Sequence, residues 1–182
     1  MRTLKRAIKA GVCGAIVVCS AVVPQRVFPH EYVINLSASM PVGIYRRVEG
    51  ESVRGSIVGA CIPDPIAALA LERGYLPKGE CSNGTRPVMK YVAAIGGDTV
   101  EVTPTAVIIN GRTIPNTQTL AADAYGRPVP NRLGQHSLKT GEYWLLSNYT
   151  VGSFDSRYFG PVTRVIDVVT PSVIVTRGGS HE

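Results

Sequence analysis

Ala106-Val107-Ile108-Ile109-Asn110-Gly111-Arg112-Thr113-Ile114 decides the class of fold. Two β-prone runs joined by Asn-Gly form the strongest short-range hairpin signal, because a two-residue turn needs left-handed backbone at both central positions and these residues adopt it at least cost. Outward from this hairpin, short β-like runs recur at Tyr32–Leu36, Ile44–Val48, Ser56–Ile62, Val88–Ile95, Thr99–Thr103, Glu142–Ser147 and Val162–Thr176, with turn residues between them. One body helix is expected, Ile66–Arg73, with Asp64 placed to cap it, Pro65 at its first position and Gly74 beyond its end. Pro115–Gln135 is polar and rich in Asn and Pro, and reads as an irregular excursion protruding from the body. The expected fold class is mostly β: a single β domain with a short helix.

Composition agrees. A chain of 182 residues allows one domain plus a tail, and 45% hydrophobic with 18% charged residues is the make-up of a folded protein. Its 19 glycines and 13 prolines exceed the roughly 12% that the two types average, as a turn-rich β protein requires. The net charge of +6 is concentrated: Arg2, Lys5, Arg6 and Lys9 stand together without an acidic neighbour, leaving 15 basic against 13 acidic residues elsewhere. A nearly neutral body has no phosphate-binding footprint, so no nucleic-acid partner is expected.

The basic cluster has a different use. It precedes Ala10–Val23, fourteen residues without a charge, and Pro24 and Gln25 extend the uncharged stretch. Basic flank then apolar run places Met1 in the cytoplasm and exports the rest. The expected organisation is a cytoplasmic flank at 1–9, a transmembrane anchor or signal segment at 10–25, and an exported domain at 26–182. The run lies between a signal-peptide core and a spanning helix of about 17–25 residues, and small residues at Cys19 and Ala21 allow cleavage after Ala21, so both readings stay open. The expected location is the inner membrane, with membrane lipid as a partner and the body on the periplasmic face. In such an oxidising compartment Cys61 and Cys81 are candidates for a disulfide. No C-x-x-C or Cys/His cluster points to a metal.

His occurs only at 30, 136 and 182, and G-x-S-x-G, H-E-x-x-H and Walker-type loops are missing from the sequence. The lysines are more informative. Lys5 and Lys9 belong to the basic flank, and Lys78 and Lys139 sit in turn sequences. Lys90 alone is embedded in an apolar strand, Val88-Met89-Lys90-Tyr91-Val92-Ala93-Ala94-Ile95. Burial disfavours an ammonium and lowers its pKa, which makes a usable neutral base. The competing reading is a strand lysine reaching solvent along its aliphatic stem. A nucleophile is offered by Asn35-Leu36-Ser37-Ala38-Ser39-Met40-Pro41, where two hydroxyls follow a strand. Its competing reading is an ordinary Ser-rich turn. Together with export, these residues suggest a Ser/Lys hydrolase working outside the membrane.

Ser37-Ala38-Ser39-Met40-Pro41, then Lys90 followed by Gly96-Gly97-Asp98, then Ser153-Phe154-Asp155-Ser156-Arg157-Tyr158-Phe159-Gly160 resemble the ordered boxes of the type I signal (leader) peptidases. Within that family, Ser39-Met40-Pro41-Val42-Gly43-Ile44-Tyr45 and the small size resemble the conjugative-transfer enzymes that mature plasmid pilin. The resemblance implies a signal-peptidase-like β domain in which Ser39 is the nucleophile and Lys90 the general base. It further implies that Ser37 lends its hydroxyl to the oxyanion hole, that Ser153 hydrogen-bonds and aims the lysine amine, and that Asp155 and Arg157 form a structural ion pair beside the site. Two boxes depart from the housekeeping enzymes: Gly96-Gly97-Asp98 replaces Pro-Gly-Asp, and Ser147-Asn148-Tyr149-Thr150-Val151-Gly152 stands where those carry Gly-Asp-Asn-x-Asp. Both departures favour a specialised enzyme.

The expected partner is then an exported precursor, such as a pilin subunit, with small residues before the cut; hydrolysis and cyclisation of the product both remain open. No cofactor is expected, because Ser/Lys chemistry needs neither metal nor nucleotide. Two other classes stay in view. One is a non-catalytic exported assembly component with a structural Lys90; the other is a soluble, self-cleaving repressor-type Ser/Lys protease, against which the Ala10–Val23 run argues.

Overall fold

The computed structural model describes residues 30–175, so the expected basic flank, the whole anchor segment and the cleavage position after Ala21 lie outside the described residues. Among the described residues no helix is long and apolar enough to cross a membrane. The chain divides into compact units at Val33/Ile34, and the second unit, from Ile34 onward, carries the site.

The described chain is mostly β. Its strands are β1 (Tyr32–Asn35), β2 (Gly43–Val48), β3 (Ile57–Ala60), β4 (Val88–Ile95), β5 (Thr99–Val102), β6 (Val107–Ile109), β7 (Arg112–Ile114), β8 (Gly134–Ser137), β9 (Tyr143–Leu146) and β10 (Val165–Ile174). Two helices accompany them, α1 (Asp64–Glu72) and α2 (Ser156–Phe159). In one sheet β2, β10, β3, β4 and β9 lie side by side, and in a second the order is β7-β6-β5-β8. The hairpin expected at Asn110-Gly111 joins β6 to β7, with Ile109 opposite Arg112 and left-handed φ values of 50° and 80° at the two turn residues.

β4 is the strand that links the parts. Its burial alternates with the period of a pleated strand, so Val88, Lys90, Val92 and Ala94 share the buried face. Val88 and Val92 pack with Val58, Ala60, Leu145, Phe159, Val162 and the α1 residues Ile66, Ala67 and Ala70. Ala94 joins a second cluster with Trp144, Leu146, Val100, Val102, Val107 and Ile109. The register of β4 against β9 shifts between Val92 and Ala94, where the strand passes from one core to the other. The turn after β4 is fixed by Asp98, whose carboxylate accepts from Arg54, from Asn110 Nδ2 at 2.8 Å and from Ile95 N–H at 2.8 Å. The hydrogen bond from Arg54, outweighing burial, holds this acid well below its ordinary range. A Cβ on Gly96 would lie 2.7 Å from Lys139 O, so the turn can close only over glycine.

Two expectations need correction, and the candidate disulfide is present. Asp64 does not cap α1: Pro63 occupies the cap position with no side-chain bond, Asp64 lies in the first turn, and its carboxylate accepts from Asn83 Nδ2 at 3.2 Å. The excursion beginning at Pro115 is irregular as far as Leu133 but does not protrude freely. Leu120 N–H donates to Tyr158 Oη at 3.0 Å, Tyr75 O–H to Asp123 Oδ2 at 2.7 Å, and Arg132 N–H to Arg157 O at 2.8 Å. Its end is a strand, β8, paired with β5 so that His136 faces Val100. Cys61 and Cys81 form a disulfide that encloses α1, with Cα atoms 5.7 Å apart.

Candidate active site

The Ser37–Pro41 loop follows β1, and β4 delivers Lys90 to it. Lys90 lies opposite Val58 of β3 and is only 5% exposed. Its amine contacts two groups, Ser39 Oγ at 2.7 Å and Met89 O at 3.0 Å. The solvated reading of this lysine is therefore excluded by its burial. Burial pulls its pKa from 10.5 down to about 8; Asp155 opposes the fall and Arg157 adds to it. An amine with its pKa lowered to about 8 is neutral in a usable fraction of molecules near neutral pH, and in that form it can accept the proton of the hydroxyl it touches as that oxygen attacks a carbonyl.

Ser37 lies beside Ser39. The two Oγ atoms are 2.9 Å apart, and Ser39 N–H donates to Ser37 Oγ at 3.3 Å. Asp155 and Arg157 are both fully buried and paired: Nε donates to Oδ1 at 2.8 Å and Nη2 to Oδ2 at 2.9 Å. Arg157 spends its remaining N–H groups on the carbonyls of Gln118, Val151 (3.4 Å) and Ser153 (3.1 Å). The pair is thus a clamp on the loop before α2 and on the start of the excursion. Burial alone would lower the Arg157 pKa, but its bonds to Asp155 outweigh burial, so the pKa is raised and the guanidinium stays charged.

Ser153 does not take the place expected of it. Its Oγ is buried and makes no hydrogen bond with any described group, and the lysine amine is engaged by Ser39 and by the carbonyl of its own strand neighbour. A different hydroxyl, missed in the sequence, reaches the nucleophile loop. Ser147 is fully buried, donates through Oγ to Ser39 O, and accepts there from Tyr149 N–H at 3.2 Å; its own N–H donates to Asp155 Oδ2 at 3.2 Å. The signal that finds it is strand register: Tyr91 faces Leu146, so the next position of the β9 line falls beside Lys90. Asn35, also missed, is buried and bonds the loop along its length.

A lysine amine buried against a serine hydroxyl, in a mostly β body, is the arrangement with which known proteins can be compared. The model of the signal peptidase family, peptidase S26, matches residues 4–173, nearly the whole chain. The chain belongs to that family. Among known proteins, a plasmid transfer protein TraF of Escherichia coli is 37% identical over 142 residues, spanning 76% of this chain and 80% of that one. A probable conjugal transfer protein TraF of Sinorhizobium fredii is 37% identical over 134 residues, spanning 72% and 70%. A crystal structure of a signal peptidase I from Enterococcus faecalis aligns with 68% of this chain and 100% of that one, at 21% identity and a TM-score of 0.38.

Proposed function

We propose that this chain is a serine endopeptidase that removes signal or leader segments from exported precursors, with Ser39 as nucleophile and Lys90 as general base. One observation carries the reading: the Lys90 amine, buried and with its pKa lowered to about 8, lies 2.7 Å from Ser39 Oγ. In its neutral form the amine takes the Ser39 proton as Oγ attacks the scissile carbonyl, and as an ammonium it returns the proton to the leaving amine. The acyl-enzyme is then opened by water, or, when the segment acylated on Ser39 is the pilin subunit, by that subunit's own N-terminal amine, which forms the ring-closing peptide bond and releases Ser39 Oγ.

The developing oxyanion falls to Ser39 N–H and the Ser37 hydroxyl, which in the free enzyme face each other. An entering carbonyl oxygen displaces Ser37 Oγ from that N–H, and the two donors then converge on the substrate. The Asp155–Arg157 pair fixes the loop before α2 and acts electrostatically on Lys90, and Ser147 holds the Ser39 carbonyl. The similarity to conjugal transfer proteins supports a propilin as the precursor, and the basic flank followed by Ala10–Val23 supports a membrane-anchored enzyme acting on the periplasmic side.

The test is cleavage of a membrane-inserted precursor bearing an Ala-x-Ala site, by the full chain and by Ser39→Ala and Lys90→Ala, with the product mass determined. Both variants are expected to be inactive while the parent cleaves. A product lighter by one water than the linear peptide identifies cyclisation. Cleavage retained in either variant overturns the dyad, and a conjugation function that survives Ser39→Ala assigns the chain to the non-catalytic assembly class.

A further inference from the structure

The loop that presents Ser39 belongs to neither a helix nor a sheet ladder, so its carbonyls need partners from elsewhere. Side chains supply them. Ser39 O accepts from Ser147 Oγ, and Pro41 O accepts from Tyr45 O–H at 2.6 Å. Within the loop Ser37 O also accepts from Met40 N–H at 3.4 Å, and the widest set of bonds comes from one residue. Asn35 Nδ2 lies 3.0 Å from Ser37 O, 3.1 Å from Met40 O and 3.0 Å from Pro41 O, while Asn35 Oδ1 accepts from Ser37 N–H at 3.1 Å.

Two amide hydrogens serving three carbonyls means that one is shared, and a carboxamide is the one side-chain group of this size that offers two donors and an acceptor. The partners also fix its orientation: three carbonyl oxygens must face the NH2 group and one N–H must face the oxygen, so the reversed amide would satisfy nothing. Asn35 is only 7% exposed, and solvent does not replace these bonds readily. The acceptor bond closes an Asx turn over Leu36, and the donors span the loop from Ser37 to Pro41, on both sides of Ser39.

We infer that Asn35 is a positioning residue for the reaction, acting through the loop backbone to fix both Ser39 Oγ against Lys90 and Ser39 N–H as an oxyanion donor. This inference rests on the dyad reading above. Asn35 touches neither the amine nor the reacting carbonyl, so its loss leaves substrate binding and the lysine pKa alone and misplaces the nucleophile. A misplacement of about 1 Å in such a constellation costs up to about a hundredfold in rate.

Asn35→Ala, and Asn35→Ser as a smaller perturbation that keeps an acceptor for Ser37 N–H, test it in the full chain. The expected result is a kcat lower by about ten- to a hundredfold, with KM and the pH of half-maximal activity both unchanged. Amide hydrogen exchange, read without substrate, is expected to speed up at Ser37 and Met40 while the β3–β4 ladder stays protected. The parent and Ser39→Ala, run in the same assay, settle the dyad reading separately. An unchanged kcat in both Asn35 variants overturns the inference even if the dyad stands, and unchanged exchange at Ser37 in Asn35→Ala overturns the clamp whether or not the chain cleaves.

Discussion

Replacing Lys90 by Met should make the stability of this protein respond differently to pH, and the size of the difference follows from the site. In the fold the lysine pKa falls from 10.5 to about 8, because burial disfavours the ammonium. At about 1.4 kcal/mol for each tenfold, the charged form is of the order of 3 kcal/mol less stable in the folded chain than in the unfolded one. The unfolded chain therefore binds the proton more tightly, and stability rises with pH between the two values. Below pH 8 the parent carries the whole cost; by pH 10.5 nearly all of it is gone. Lys90→Met carries none of it at any pH. It loses the contacts to Ser39 Oγ and Met89 O, each about 1 kcal/mol, and fills the same volume with an apolar chain. Equilibrium urea unfolding of both proteins at pH 6.5, 8.0, 9.5 and 10.5 isolates the effect, since every other titrating group cancels in the difference. The parent should gain about 3 kcal/mol on Lys90→Met over that range, a shift of roughly 6–12 °C in relative Tm for a domain of this size. A difference that stays flat from pH 6.5 to 10.5 refutes a depressed pKa, and with it the argument for a neutral base.

Arg157→Met should destabilise by about 3–5 kcal/mol in denaturant unfolding, because it strands the buried Asp155 carboxylate and frees the loop carbonyls that the guanidinium holds. Replacing Cys61 and Cys81 together by serine should cost about 3 kcal/mol, measured the same way, since the bridge closes a loop with a sequence separation of 20. Gly96→Ala places a Cβ 2.7 Å from Lys139 O and should lower the Tm through a cost of about 1–3 kcal/mol, with the β4–β5 turn pushed away from the Lys139-Thr140 backbone.

The legible parts of the sequence were those where a local rule and the tertiary environment agree. Val88–Ile95 reads as a strand from its apolar run, and the same run exposes Lys90 as the lysine out of place; the Asn110-Gly111 turn follows from backbone sterics alone. The failures have particular causes. β8 is Gly134-Gln135-His136-Ser137, without an apolar residue, and exists because β5 offers it an unpaired edge. Asp64 looked like a cap because acidic residues favour that position, but Pro63 already provides the extended backbone the cap needs. Ser153 sits in a box that resembles a family pattern, and its hydroxyl nevertheless finds no hydrogen-bond partner among the described residues. Ser147 and Asn35 escaped notice because their roles depend on register and on loop curvature, which no short window of sequence contains.

The central claim is that a buried, neutral Lys90 activates Ser39, and the pH dependence of kcat/KM on an Ala-x-Ala precursor tests it most directly. The account predicts a single ionisation with half-maximal activity near pH 8, activity falling about tenfold for each pH unit below and level above, because only the unprotonated amine accepts the Ser39 proton. A rate flat from pH 5 to pH 9 would contradict it.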